Sequence, residues 1–269
     1  MSSPPAVRPE AEAPLLLRED RDGIATLVLN RPTRQNALSE ALIGELQREL
    51  DVLAADPGVR VVVLAGSGPA FCAGHDLREM RARPDLDYYR ALFARCTRMM
   101  LSLAELPQPV IARVHGVATA AGCQLVATCD LAVASEQARF ATSGIDVGLF
   151  CATPGVPLSR NISRKRAFEM LVTGAFVDAA TALDWGLVNR VVAAEALDAA
   201  VQELAQTIAA KSAVAVRAGK RLFAPQLAAG LEEAYAMACE TMARNLMAED
   251  AGEGIDAFLA KRKPVWRGR

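Results

Sequence analysis

Along the first two thirds of the chain, segments with the apolar pattern of a strand alternate with segments with the apolar pattern of a helix. Residues 24–29 form a short β-type run that ends at a turn, and residues 59–64 form a nearly unbroken run of β-branched side chains. An unbroken run of this kind is typical of a strand covered on both faces. Between the two runs, leucine and isoleucine recur at helical spacing after Ser39, a residue type that caps helices well. The pattern therefore predicts a strand, a helix and a buried strand in succession.

The same periods predict the remaining elements. They indicate a helix over 86–106, a strand over 110–114, a helix that begins near Ala121, strands over 131–134 and 139–142, and helices over 195–211, 231–246 and 250–262. No strand is predicted after residue 195. We therefore predict a β/α core over 15–194 and a helical oligomerisation region over 195–269, because helices with so many apolar faces cannot bury them on one another. Residues 1–14, rich in Pro and Ala, are predicted to be a flexible leader.

Composition and charge exclude several classes of protein. The 30 basic and 31 acidic residues give a net charge of −1, which argues against a nucleic-acid binder. A hydrophobic share of 52% excludes a disordered or fibrous protein. The most apolar stretch, 114–134, is interrupted by His115, Gln124 and Asp130, so no membrane span is predicted.

The cysteines and histidines say more about location than about chemistry. The chain has 6 cysteines without a Cys-x-x-Cys pair, which favours free thiols in a reducing compartment. Residues 1–14 resemble neither a signal peptide nor an Arg-rich transit peptide, so we predict a cytoplasmic protein. With only 2 histidines, and no second ligand near either one in sequence, no metal site is expected.

Two glycine-containing junctions are candidates for chemistry. Residues 71–77 and residues 116–124 each lead from an extended stretch into a helix through small residues. Free backbone N–H groups at such helix starts favour negative charge, and two that converge would form an oxyanion hole. Ordinary strand-to-helix turns have the same composition, so the residues alone leave both interpretations open.

These junctions belong to a longer series of motifs. The series runs Asn30-Arg31-Pro32, Asn36-Ala37-Leu38, AFCAGHDL at 70–77, HGVATAAGCQLVATCDLAVAS at 115–135, and later FATSGIDVGLFCATPG, GLVNRVV and FLAKRKPVW. Over about residues 20–265 it resembles the enoyl-CoA hydratase/isomerase (crotonase) superfamily. The resemblance implies an α/β fold, a crotonase-type spiral of ββα units with a C-terminal helical trimerisation region. It also implies a homotrimer or dimer of trimers that takes an acyl-CoA thioester, with coenzyme A as part of the substrate and no separate cofactor.

The resemblance also assigns roles in the site. It implies that the backbone N–H groups of His75 and Ala121 hold the enolate-like oxygen of the thioester. The two glutamates of the family's hydratases correspond to Gln124 and Gly144. A glutamine amide has no useful pKa and glycine has no side chain, so the two-carboxylate hydration is not expected here.

The resemblance leaves the His75 side chain and the coenzyme A contacts to be decided. The imidazole could shuttle a proton, or it could face the coenzyme A channel. The candidate coenzyme A contacts are Arg31, Arg34, Ala37, Ala73, Asp76, Leu77, Arg78 and Lys261. Arginine and lysine suit the phosphates, although Lys261 could equally complement a helix C-terminus and Asp76 could stabilise a turn.

Two functions of different classes are consistent with these residues. One is an acyl-CoA enzyme that keeps the oxyanion hole but lacks the hydratase carboxylates, such as an isomerase, a thioester hydrolase or a weak hydratase. The other is a non-catalytic acyl-CoA-binding or regulatory oligomer.

Overall fold

The strands of the chain form two sheets. The computed structural model describes residues 13–269, so residues 1–12 of the predicted leader lie outside the described part. The strands are β1 (Leu16–Arg21), β2 (Ile24–Leu29), β3 (Val61–Gly66), β4 (Ala70–Cys72), β5 (Val110–Val114), β6 (Val117–Thr119), β7 (Leu131–Ser135), β8 (Arg139–Ala141), β9 (Val177–Asp178) and β10 (Arg190–Val192). One sheet has six strands in the order β1-β2-β3-β5-β7-β10, and the other has four in the order β4-β6-β8-β9.

Helices connect the strands and form the C-terminal part. They are α1 (Glu40–Ala55), α2 (Leu77–Ala82), α3 (Leu86–Glu105), α4 (Ala121–Thr128), α5 (Ala152–Asn161), α6 (Arg164–Thr173), α7 (Ala179–Trp185), α8 (Leu197–Ala209), α9 (Ala213–Ala228), α10 (Leu231–Leu246) and α11 (Glu249–Leu259). The pairs β3/β4, β5/β6 and β7/β8 each give one strand to each sheet before the next helices begin. Within the sheets, the hydrogen-bonded neighbours β1/β2 and β8/β9 are antiparallel, and all other neighbouring strands are parallel. This is the spiral of ββα units that the resemblance implies.

The central strands of the six-stranded sheet, β2, β3, β5 and β7, are largely buried on both faces. Val62 and Leu64 on β3 join the main core, whereas Val61 and Val63 pack with Leu197 of α8 on the other face. The predicted strand over 59–64, covered on both sides, is thereby confirmed, with its observed bounds two residues later. Helix α8 covers one face of this sheet. The predicted boundary at residue 194 assigns α8 to the helical region, although α8 packs on the β/α core.

Local signals in the sequence account for several element ends. Ser39 Oγ accepts the N–H of Leu42 at 3.2 Å and so caps α1, as predicted. Asp56 follows the last turn of the same helix. The predicted helices over 195–211, 231–246 and 250–262 correspond to α8, α10 and α11. No helix of the described residues 13–269 is long and apolar enough to cross a membrane.

Helix α9 was not predicted from the sequence. It contains Gly219 and Pro225, both of which lower helix propensity. Tertiary contacts compensate, because Lys220 Nζ donates to the Asp130 carboxylate at 2.6 Å and to the Gln108 carbonyl at 2.8 Å. The tail helices α9–α11 leave many large apolar side chains exposed, and α10 contains no buried residue.

Close backbone packing joins the start of α4 to the end of β4. A Cβ built at Gly122 would overlap the carbonyl of Cys72. Only a glycine allows α4 to approach the strand this closely. Gly44 in α1 provides a contrast, because a Cβ there would meet nothing within 4 Å.

We expect Gly122→Ala to lower the free energy of unfolding by about 1–3 kcal/mol, because the added methyl group forces α4 away from β4. Gly44→Ala should instead stabilise the protein by about 0.5–1 kcal/mol, since alanine is the better helix former. Urea unfolding of both variants measures the difference. A Gly122→Ala protein as stable as the unsubstituted chain would contradict the close packing.

Candidate active site

The first glycine-containing junction is held in place by pairing with an earlier loop. Leu38 N donates to the Gly74 carbonyl at 2.7 Å, and Asp76 N donates to the Leu38 carbonyl at 3.0 Å. The loop itself is fixed by Asn36, whose side-chain amide bonds the carbonyls of Ser67 and Ala70 at 2.8 Å. The motifs at 30–38 and 70–77 therefore form one rigid unit, although they lie far apart in sequence.

The second junction contains a strained residue. Ala120 has φ 51° and ψ −119°, a conformation that a residue with a Cβ rarely adopts. Its N–H donates to the Ala141 carbonyl at 3.0 Å, which anchors the turn on the four-stranded sheet. No side chain caps α4, so the N–H of Ala121 stays free at the first helical position.

The two junctions touch each other. Gly74 has φ 92°, and a Cβ built on it would lie 2.8 Å from the Ala120 Cβ and 3.2 Å from the Ala121 nitrogen. Within residues 13–269, neither His75 N nor Ala121 N donates a hydrogen bond to another backbone group. Two unpaired donors therefore lie at adjoining turns, one of them at a helix N-terminus where negative charge is stabilised.

A cavity of about 130 Å³ opens beside these two turns; we call it the small chamber. Its lining includes Ala73, His75, Leu77, Phe93, Ala121 and Gly144. Four of the predicted site residues, Ala73, His75, Leu77 and Ala121, thus come together with a fifth, Gly144. The apolar surroundings strengthen any hydrogen bond made to an oxygen placed there.

The His75 imidazole lies against Phe93 in an edge-to-face arrangement, with ring centroids 5.4 Å apart. Its Nε2 atom is buried and has no hydrogen-bond partner among the described residues. Burial disfavours the charged form and lowers the pKa of His75 to about 4. The ring is therefore neutral at pH 7, and its Nε2 atom is buried and unpaired.

Gly144 is tightly covered by the chain that follows it. A Cβ there would lie 2.6 Å from the Leu149 carbonyl oxygen and 2.7 Å from Cys151 Sγ. The Leu149 N–H also donates to the Gly144 carbonyl at 2.9 Å, which closes the loop. Burial raises the pKa of the Cys151 thiol, partly offset by the Gly144 N–H, so this thiol stays protonated.

Gln124 does not line the small chamber with the other predicted catalytic positions. It lines a second cavity of about 600 Å³, the large chamber, which lies between α3, α4, α5 and α9. Thr153 lines both chambers. The resemblance assigns Gln124 and Gly144 to the two glutamates of one catalytic site and so did not predict that they line different cavities. The separation depends on how α5 and α9 pack.

The predicted coenzyme A contacts are dispersed. Arg31 donates to the Ala37 carbonyl and to Asp76 at 3.1 Å, so its guanidinium holds the first junction and is not free for a phosphate. Burial pushes the pKa of Asp76 upward, but hydrogen bonds from Arg31 and from the Arg78 N–H outweigh it, and the pKa lies below its usual value. Asp76 also caps α2, in agreement with a role in the turn.

The remaining cations lie on the surface. Arg34 and Arg78 are exposed, and Arg78 follows Leu77 at the edge of the small chamber. Lys261 comes after α11, which packs mainly against α9 and α10. Lys261 lines neither the small nor the large chamber, so this chain by itself does not bring it to the site.

Sequence reasoning missed Phe93, Ser143 and Thr153 as chamber residues. Ser143 Oγ bonds Thr119 Oγ1 at 2.7 Å beside the second junction. Phe93 belongs to the apolar face of α3, where helical spacing alone predicts a core residue. No sequence signal singles these residues out, because their place in the site depends on contacts between distant elements.

Solved structures share this architecture. An enoyl-CoA hydratase from Mycobacterium smegmatis superposes with a TM-score of 0.93 at 60% sequence identity, covering 94% of this chain and 99% of that one. Human enoyl-CoA hydratase domain-containing protein 3 gives a TM-score of 0.92 at 43% identity, covering 94% and 100%. These neighbours confirm the predicted crotonase fold. The segments HDL at 75–77 and TAAGCQL at 119–125 already resemble the branch of the human protein.

A sequence relative corrects the predicted location. Enoyl-CoA hydratase domain-containing protein 3 of Xenopus laevis is 46% identical over 253 residues, 94% of this chain and 86% of that protein, and is named as mitochondrial. Mammalian proteins of the same name, 43–44% identical, are also named as mitochondrial. The predicted cytoplasmic location is contradicted by these relatives. Free thiols indicate a reducing compartment and do not distinguish one such compartment from another.

The family model for enoyl-CoA hydratase/isomerase matches residues 19–269. Apart from the first three residues of β1, this match covers both sheets, both glycine-containing junctions and the tail helices. Together with the fold and the relatives, it confirms the resemblance carried by the sequence motifs: the chain belongs to the enoyl-CoA hydratase/isomerase (crotonase) family.

Proposed function

We propose that the protein binds an acyl-CoA thioester with its carbonyl oxygen against the backbone N–H groups of His75 and Ala121, and that these donors stabilise an enolate. The observation that carries the proposal is the pair of unpaired donors at adjoining turns above an apolar chamber. The strain at Ala120 supports it, because strained backbone persists where a site needs a particular orientation. Each donor of this kind contributes about 3–4 kcal/mol to a transition state.

We assign proton transfer at the substrate α-carbon to the His75 side chain. His75 and Cys151 are the titratable side chains that line the small chamber within residues 13–269. The thiol is held protonated by its raised pKa, whereas the imidazole is neutral and its Nε2 has no partner. A neutral imidazole accepts a proton, so the chemistry supported best is enolate formation, as in a double-bond isomerase, rather than two-carboxylate hydration.

The second candidate is a non-catalytic acyl-CoA binder. Gln124 and Gly144, at the positions of the family's two glutamates, favour it, because neither residue transfers a proton. The two candidates share the thioester site and differ only in whether the α-proton is removed.

We expect the protein to exchange the α-protons of butyryl-CoA with deuterium from heavy water, which proton NMR measures. His75→Gln should slow the exchange by about 10²–10⁴-fold, because the proton acceptor is lost while the backbone donors remain. His115→Gln is the matched control. His115 Nε2 already bonds the Gly68 carbonyl at 2.8 Å and does not line the small chamber, so this variant should keep the exchange rate.

The pH dependence of this exchange provides a second readout. Since the pKa of His75 is lowered to about 4, the ring is in its neutral, proton-accepting form throughout the neutral range. The rate should hold from neutral pH downwards and fall as the pH passes below about 4, rather than near the ordinary histidine value. Binding of butyryl-CoA with no exchange would refute α-proton removal by His75 and favour the non-catalytic candidate.

We expect the double variant Gln124→Glu, Gly144→Glu to gain no hydration of crotonyl-CoA, measured from the absorbance of the conjugated thioester. The side chain added at residue 144 would collide with Leu149 and Cys151, so the loop must shift before a carboxylate can enter. Gln124→Glu alone is the control for an added charge. If the double variant hydrates crotonyl-CoA at the rate of an ordinary enzyme, the loop that covers Gly144 does not prevent a carboxylate from entering the site.

We also propose that the protein is a homotrimer or a dimer of trimers that associates through α9–α11. Its support is the exposed apolar surface of these helices, which includes Leu231 and Phe258 at 77% and 81% exposure. Light scattering should give three or six times the chain mass of 28.6 kDa. Phe258→Glu should lower that mass. Val52→Glu, which likewise puts a charge at an exposed apolar position but on α1, should not. A monomeric unsubstituted protein would refute the assembly.

A further inference from the structure

Cys151 is a proton-bearing side chain of the small chamber that the proposed function leaves unused. It is the residue that precedes α5 and, like Gly144, it lines the chamber. A Cβ built at Gly144 would lie 2.7 Å from the Cys151 Sγ atom, so the sulfur packs directly on the Gly144 backbone. The sulfur therefore occupies space into which a side chain at residue 144 would extend.

Two opposing influences act on this thiol. Burial raises the pKa of Cys151, so the group carries its proton at neutral pH. The Gly144 N–H, which donates to Sγ, acts in the opposite direction, because a hydrogen bond to the thiolate stabilises it. The N-terminus of α5 also favours a negative charge at this position. The thiol is thus a protonated acid whose conjugate base is stabilised when it forms.

The other polar side chains that line this chamber within residues 13–269 are poorer proton donors. Ser143 and Thr153 carry hydroxyl groups, which are much weaker acids than a thiol, and Ser143 Oγ is already bonded to Thr119 Oγ1 at 2.7 Å. The His75 imidazole is neutral and is the proposed proton acceptor. The remaining lining residues are apolar or glycine, so the thiol is the best acid in these walls.

The proposed base and this acid come from different segments of the chain. His75 belongs to the junction that follows β4, whereas Cys151 lies at the start of α5. The chamber has a volume of only about 130 Å³, so a short stretch of carbon chain placed in it lies near both segments. A base and an acid in one small apolar chamber are the two groups needed to move a proton from one carbon to another.

We infer that the Cys151 thiol donates a proton to the γ-carbon of a 3-enoyl-CoA and so completes its isomerisation to the 2-enoyl thioester; this inference rests on the proposed function. His75 first removes a proton from the α-carbon, and the electron pair of that C–H bond enters a dienolate whose oxygen is held by the two backbone donors. The electron pair of the original double bond then forms a bond from the γ-carbon to the thiol proton.

The remaining electrons and protons balance. As the γ-carbon is protonated, the enolate returns to a carbonyl and a double bond forms between the α- and β-carbons. The S–H bond breaks with its electron pair left on sulfur, where the Gly144 N–H stabilises the thiolate. The thiolate then takes a proton from solvent and the imidazolium releases one, which restores both groups.

The first test uses the unsubstituted full-length protein in ordinary water. Its substrate is 3-hexenoyl-CoA that carries deuterium at both α-positions. We expect conversion to 2-hexenoyl-CoA, followed by the absorbance of the conjugated thioester, with a solvent-derived hydrogen at the γ-carbon because the thiol exchanges with water. Proton NMR of the product at low conversion measures this. Transfer of the α-deuterium to the γ-carbon would show that one group carries the proton between the carbons, and would overturn the inference.

The second test compares cysteine variants. Cys151→Ser keeps the approximate size but replaces the thiol with a much weaker acid, and Cys151→Ala removes the acid. Each should slow isomerisation by about 10²–10⁴-fold and slow the α-proton exchange of butyryl-CoA far less, because His75 and the backbone donors remain. Cys123→Ala is the matched control, since this thiol of α4 is also buried but does not line the small chamber, and it should keep the isomerisation rate. Circular dichroism melting confirms that each variant is folded.

The outcomes separate the inference from the function on which it rests. Exchange of α-protons without isomerisation by the unsubstituted protein, or unchanged isomerisation in Cys151→Ser, would overturn the inference and leave the proposed function standing. Equal losses of exchange and isomerisation in both Cys151 variants would indicate a structural role and would also overturn it. Absence of both activities in the unsubstituted protein would refute the proposed function, and the inference with it.

Discussion

The site depends on one backbone contact, the approach of the α4 N-terminus to the end of β4. Gly122 lies against the Cys72 carbonyl, and the neighbouring Gly74 lies against Ala120 and the Ala121 nitrogen. Without side chains at these two glycines, two strand-to-helix junctions from distant parts of the chain can touch. Their unpaired N–H groups then belong to residues that line the same cavity, and the helix dipole of α4 favours negative charge at the second one. Small residues at these positions are thus a requirement of the geometry.

Burial around this contact determines the charge of the site. The six-stranded sheet is covered on both faces, and α3 places Phe93 against the His75 ring. Burial lowers the pKa of His75 and raises the pKa of Cys151, so the imidazole is neutral and the thiol stays protonated. A chamber that holds a neutral base and two backbone donors is suited to moving a proton at a carbon next to a carbonyl.

Much of the fold could be predicted from local patterns. The continuous apolar run ending at Leu64 requires burial on both sides, and Ser39 caps α1 as its residue type and position indicate. Helix α9 could not be predicted in this way, because Gly219 and Pro225 oppose it and the contact of Lys220 with Asp130 supports it from outside. An element with a clear local pattern of apolar residues can be predicted from the sequence. An element stabilised by residues distant in the chain cannot.

The features of the candidate site likewise fall into those predicted from the motifs and those that only the tertiary structure determined. The order of the motifs determined the family, and it predicted the two glycine-containing junctions and the replacement of both glutamates, because each is a property of residue type at a position. Only the tertiary structure placed Gln124 in a chamber apart from Gly144, engaged Arg31 with Asp76, and closed the loop of Leu149 over Gly144. Such facts depend on distances between segments far apart in the chain. A linear pattern contains the residue types but not those distances.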